Sequence, residues 1–84
     1  MEGYEMKSTT IRLSSIEAVR NFVDVVRKYN CEIDLVSGRY LVDAKSIMGI
    51  FSLDLLNPIK LVAHSDSCDQ LFEEIKDYIV DTEA

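Results

Sequence analysis

Cys31-Glu-Ile-Asp-Leu-Val-Ser-Gly-Arg-Tyr-Leu-Val-Asp43 carries apolar residues at Cys31, Ile33 and Leu35, reverses over Ser37-Gly38-Arg39 and resumes at Tyr40-Leu41-Val42-Asp43. Alternation with period two marks a half-buried strand, and a glycine with polar neighbours between two such runs marks a tight turn. The stretch therefore predicts a β-hairpin in the middle of the chain. Upstream of it, Ile16, Val19, Val23 and Val26 recur at three-to-four spacing, with Phe22 and Tyr29 widening the apolar stripe and Arg20, Asp24, Arg27 and Lys28 on other faces. That spacing predicts an amphipathic helix running to about Tyr29. Ser14-Ser15-Ile16-Glu17 reads as its capping box, with Ser14 accepting from a free amide and Glu17 reaching back. Before the helix, Met6 to Leu13 alternates again, with Thr9, Ile11 and Leu13 on one side, and predicts a first strand.

Downstream of the hairpin, Ser46 followed by Ile47, Met48, Ile50, Phe51 and Leu53 predicts a short helix with a serine N-cap. Asn57-Pro58 breaks the chain, and Ile59, Leu61 and Ala63 alternate with Lys60, Val62 and His64 in a fourth strand. Ser67-Cys68-Asp69-Gln70 reads as a second capping box, opening a helix with an apolar stripe of Leu71, Phe72, Ile75, Tyr78 and Ile79. The order β-α-β-β-α-β-α predicts an α+β fold, a two-layer open-faced sandwich with a four-stranded antiparallel sheet covered on one face by three helices. One domain spans residues 1–84, ordered over about 6–80.

A formal charge of −6 repels nucleic-acid backbones and anionic membranes, so a protein partner is expected. No apolar run approaches the roughly 18 residues of a membrane span, and the first six residues lack the pattern of a signal peptide. The reading is cytoplasmic, with no cofactor and no metal. Cys31 and Cys68 lack the paired spacing of a zinc or redox motif and are expected as buried, reduced thiols, with a disulfide left open for an exported chain.

The element order, Lys28-Tyr29, Gly38 in the hairpin and the run Lys45-Ser-Ile-Met-Gly-Ile-Phe-Ser-Leu53 resemble HPr, the phosphocarrier of the bacterial sugar phosphotransferase system, over about residues 8–80. Lys45-Ser46-Ile47-Met48-Gly49 matches the family signature that holds a regulatory serine in some Gram-positive bacteria. The resemblance implies a carrier or regulator and no enzyme. It also implies a first signature, Gly-Ile/Leu-His-Ala-Arg-Pro, at the start of the first helix, and there this chain departs from the family. Aligned without gaps from Lys28-Tyr29, it has Ser15, Glu17 and Ala18 where the family has histidine, arginine and proline. Phosphohistidine is a high-energy phosphoramidate, whereas a serine ester is too stable to pass phosphate onward, and a carboxylate at position 17 repels it. No catalytic residue is therefore expected.

His64, the one histidine, is expected exposed on the sheet, roughly 15 Å from the start of the first helix. Asp66 and Asp69 are the oxygen neighbours it could offer to a metal.

The resemblance makes Ser46 the regulatory phosphorylation candidate, beside its structural role as helix cap, as in the Crh type of the family, which also lacks the histidine. Ile47, Met48 and Phe51, edged by Arg20, Asp24 and Arg27, resemble the family's partner-binding patch. The partners implied are HPr kinase, enzyme I or a transcription regulator. The function expected is an HPr-like regulatory or interaction module without histidine phosphotransfer; the alternative is a small α+β ligand-binding or dimerisation domain with no link to sugar transport.

Overall fold

The hairpin forms as its sequence predicts, and the rest of the sheet assembles on it. In the computed structural model, which describes residues 7–64 and 68–80, strands β2 (Ile33–Ser37) and β3 (Tyr40–Asp43) pair with Ser37 opposite Tyr40. The two-residue turn between them has Gly38 at φ 62° and no positive φ at Arg39. Glycine at the first central position is what a type II′ turn demands, because a side chain there would be strained.

Strand β4 (Ile59–Ala63) lies between β2 and β1 (Lys7–Ile11), antiparallel to both, giving the order β1-β4-β2-β3. Ile33, Leu35, Ile59, Leu61, Ala63 and Ile11 are all buried on one face. The helices α1 (Ile16–Val26), α2 (Ile47–Phe51) and α3 (Asp69–Glu74) cover that face with Val19, Phe22, Val23, Val26, Ile50 and Leu71. Burial of these side chains, at about 25 cal/mol per Å2 of apolar area, drives the assembly. The open face carries Ser8, Thr10, Lys60, Val62, Asp34, Val36, Leu41 and Asp43, as the strand register requires.

Several expectations need correction. Helix α1 ends at Val26 rather than Tyr29: the amides of Lys28 and Tyr29 donate to Val25 and Val26, bonds three residues long that tighten the chain into a turn. Ile16 drops out of the buried stripe and stands 67% exposed. The last helix is much shorter than its stripe suggested. After Glu74 the chain makes a 3-10 turn over Lys76–Tyr78 and then extends, with Ile79 bridged to Ile11, the Arg12 amide donating to the Tyr78 carbonyl, and the Val80 amide to that of Thr10. Backbone groups on the outer edge of β1 need partners, and meeting them outweighs another helical turn. Ser67, expected to cap α3, lies outside the described residues; Cys68 holds the cap position and makes no side-chain cap bond.

The two cysteines are not reduced thiols. Cys31 and Cys68 form a disulfide, with Cα atoms 6.3 Å apart, buried within the core between the entry to β2 and the start of α3. Sequence spacing carries no signal of this proximity, because the packing of the start of α3 against the entry to β2, not any local motif, sets Cys68 beside Cys31.

A polar clasp joins the end of α1 to α3. The Tyr29 hydroxyl donates to Glu74, and Lys28 Nζ lies 3.3 Å from the same carboxylate. These bonds, the tyrosine's first, hold Glu74 below its ordinary value of 4.5, while the carboxylate holds Tyr29 above 10.0. A lowered carboxyl pKa contributes stability above its unfolded value, and that contribution is lost as pH falls through the folded value. Glu74→Gln should accordingly flatten the acid side of the stability–pH curve below about pH 4.5, read by urea titration at a series of pH values.

Candidate functional site

The sequence from β1 into α1 positions the first element of the site. Leu13 is buried and anchors the connection, after which Ser15 takes an extended conformation (φ −152°, ψ 164°) as the N-cap of α1. Its Oγ accepts from the Ala18 amide at 3.0 Å, and its carbonyl from Val19 at 3.1 Å. The cap is thus one residue later than the box read from the sequence. The phase of the helix is set by burial of Val19, Phe22, Val23 and Val26, and that phase puts Ala18, which has no acceptor, where a box needs Glu or Gln. Glu17 is an exposed first-turn carboxylate that favours the helix dipole without a reciprocal bond. Ser15→Ala should therefore cost about 1 kcal/mol and Glu17→Ala only a few tenths, measured by urea unfolding.

Ile16 leans over an apolar depression of about 270 Å3 lined by Leu13, Ser14, Ser15, Phe51, Leu55 and Leu56. Leu56 is 83% exposed at its rim. The loop that presents it is held by Asp54, which accepts from the Leu56 amide and the Asn57 side chain, and by Arg12, which donates to the Leu56 carbonyl. Sequence reading missed Leu55 and Leu56; two leucines in a loop just before Asn57-Pro58, outside every periodic stripe, were the signal available.

On α2, Ser46 is the N-cap the sequence predicts. Its Oγ accepts from the Gly49 amide at 3.3 Å, and its carbonyl accepts from Ile50. A Cβ on Gly49 would stand 3.1 Å from Ser46 Oγ and 3.3 Å from Val42, so glycine lets cap and strand pack closely. Met48 is 76% and Phe51 38% exposed, three residues apart on one face, while Ile47 is half-buried against the core. Arg20 and Asp24 flank a second shallow depression along α1 with Ile16, Glu17 and Asn21, and Arg27 is exposed at the helix end. The fold thus brings the end of α2 against the start of α1 through Phe51 and Ile16, with Met48 one turn away.

His64 lies elsewhere. It is half-buried rather than exposed, with Nε2 2.8 Å from Asp34 Oδ2 and its amide donating to Glu32. It follows Ala63, which pairs with Lys7, whereas α1 begins after Ile11, the partner of Ile59. Five strand residues separate these places, about 16 Å. Of the oxygen neighbours considered for it, Asp66 lies outside the described residues and Asp69 pairs with Lys7.

A four-stranded antiparallel sheet with three helices on one face defines an open-faced sandwich of the phosphocarrier class. A family model described as "PTS HPr component phosphorylation site" matches residues 16–81. The chain belongs to the HPr family of the phosphotransferase system.

Among solved structures, it is similar to HPr-C-His from Thermoanaerobacter tengcongensis, with 29% identity and a TM-score of 0.73, covering 84% of this chain and 88% of that one. The phosphocarrier protein HPr from Bacillus anthracis str. Ames shares the fold at 21% identity and a TM-score of 0.69, covering 89% of this chain and 98% of that one. No curated protein matches the chain. Proteins of this family are carriers that interact with other proteins of the phosphotransferase system. No helix among the described residues is long and apolar enough to cross a membrane.

Proposed function

We propose that this member of the HPr family does not carry phosphate on histidine and acts in the cytoplasm as a regulatory, protein-binding module. The observation that carries the reading is the start of α1: the residue aligned with the family's acceptor is Ser15, a helix cap with no imidazole to hold a transferable phosphoramidate. Glu17 stands beside it as a carboxylate, opposite in sign to the arginine that would pair with phosphate. His64 supports the same reading, because it is bonded to Asp34 at the far end of the sheet.

The surface for partners is formed by Met48, Phe51 and Ile16, with Ile47 beneath and Arg20, Asp24 and Arg27 along α1. Ser46 is the site of control. Its hydroxyl is exposed, and phosphorylation there adds about −1.5 to −2 charge.

Two labelling experiments test the proposal. With phosphoenolpyruvate and enzyme I, the protein should take up no acid-labile phosphate; labelled His64 would overturn the reading. With HPr kinase and ATP it should take up acid-stable phosphate that Ser46→Ala eliminates, and an unlabelled wild type would remove the regulatory half.

A further inference from the structure

The sheet has two edges, and they are treated differently. The outer edge of β1 is covered by residues Tyr78 to Val80, whereas β3 has no such cover among the described residues. Tyr40 is 66% and Leu41 64% exposed there. The pairing of Ser37 with Tyr40 and the bond from the Ala44 amide to the Ile33 carbonyl show which groups face inward: Tyr40, Val42 and Ala44 bond to β2, so the amide and carbonyl of Leu41 point outward. An uncovered edge of this kind is a template for another strand.

We infer that β3 pairs antiparallel with β3 of a second copy of this chain, about a two-fold axis through Leu41. In this register the outward groups of Leu41 would form a hydrogen-bonded pair with those of the same residue across the axis, and two observations select it. Arg39, in the turn, and Asp43, at the end of β3, each lie two positions from Leu41, so the register sets each Arg39 opposite the Asp43 of the other copy, twice. Neither residue makes an ion pair within its own chain among the described residues. Asp43 also sits directly across from Asp34 in the β2–β3 register, a like-charge pair that an arginine from outside relieves.

The Asp43 carboxylate accepts from the Lys45 amide through Oδ1 alone, which leaves Oδ2 for the guanidinium. Its carbonyl already accepts from Ser46, so the added ladder is centred on Leu41 with the Asp43 amide beside it. The axis stands perpendicular to the sheet, which makes one continuous eight-stranded sheet with the helices of both copies on the same face.

The test is a cross-linking and charge-swap pair, with the native disulfide intact and at physiological salt, where screening over about 8 Å weakens the mutual repulsion of two −6 chains. Opposed residues of a hydrogen-bonded pair have Cα atoms about 5.5 Å apart, within reach of a disulfide. Leu41→Cys should therefore oxidise to a covalent dimer. Lys60→Cys, exposed on the same face but about 24 Å from its copy in such a dimer, should not. Sedimentation of the wild type up to about 1 mM should show reversible dimer, lost in Arg39→Asp and regained in the double variant Arg39→Asp/Asp43→Arg; concentrations of this order detect even millimolar affinity.

Equal cross-linking at positions 41 and 60, or a monomer at every concentration with no preference for Leu41→Cys, would overturn the inference. Circular dichroism melts check that the charge variants fold, and the Leu41→Cys arm stands if they do not.

Discussion

Reduction of the Cys31–Cys68 disulfide is expected to lower the melting temperature by more than about 10 °C. The bond closes a loop across a sequence separation of 37 residues. By chain-entropy arguments, a loop of that size constrains the unfolded ensemble by about 3–4 kcal/mol. In a domain of this length each kcal/mol shifts the midpoint by about 4–8 °C. The effect should be uneven in space, because α3 is only Asp69–Glu74, too short to hold itself as a helix without tertiary anchors.

Hydrogen exchange should therefore speed up first at the amides of Phe72, Ile75, Tyr78 and Val80, while β2 and β4 stay protected until global unfolding. Cys31→Ala/Cys68→Ala should reproduce the loss in the absence of reductant. A shift of under about 2 °C in both the reduced protein and the double variant would show that the core alone holds α3 in place. The result also bears on compartment, since cytosolic glutathione keeps most thiols reduced. A protein working there has to fold well enough on its hydrophobic core.

Replacing Met48 with aspartate is expected to abolish partner binding, by roughly two orders of magnitude or more in Kd. The side chain is 76% exposed in the free protein, so an aspartate there costs little before binding. In a complex the same carboxylate would be desolvated without a counter-charge, a penalty of about 2–4 kcal/mol. Ser46→Asp should behave differently. Its charge lies at a helix start whose amide from Gly49 already faces the side chain; there it is tolerated and mimics the phosphorylated state. A partner that presents arginines should gain from it, and one that packs on the bare apolar patch should lose.

The two variants should thus separate partners in a pull-down from cell extract, with Phe51→Ala intermediate. An identical partner set for wild type, Ser46→Asp and Met48→Asp would exclude this surface as the docking site.

Particular residues show where sequence reading reaches and where it stops. The alternation at Ile33 and Leu35 and the glycine at 38 placed the hairpin, although β2 begins at Ile33 rather than Cys31 and Ser37 belongs to the strand rather than the turn. Ser46 followed by Ile47 and Ile50 placed α2 and its cap, since a cap is a contact made within four residues. Ser15 against Ser14 was decided otherwise: both are favoured caps, and the choice followed from which phase of α1 buries Val19, Phe22 and Val26 against the sheet. His64 alternated with Ala63 as an exposed residue would, but the neighbour that half-buries it and bonds its ring is Asp34, which the β2–β4 register supplies. Ile16 followed the helical period and still faces outward, because the depression beside Phe51 and Leu56 exists only once α2 and its following loop have docked.

The sequence by itself determined the order and sense of the elements and the identity of each except the second half of the last helix, together with the family, the absence of a histidine at the start of α1 and the serine at the start of α2. All of these are local properties of the chain: period, cap chemistry and motif. The tertiary structure alone decided the Cys31–Cys68 bond, the conversion of the final helix into a 3-10 turn and an extended segment over the edge of β1, and the pairing of His64 with Asp34. Each joins residues thirty or more positions apart, and partners at that distance are chosen by the packing of the whole domain, where burial and backbone pairing outweigh local propensity.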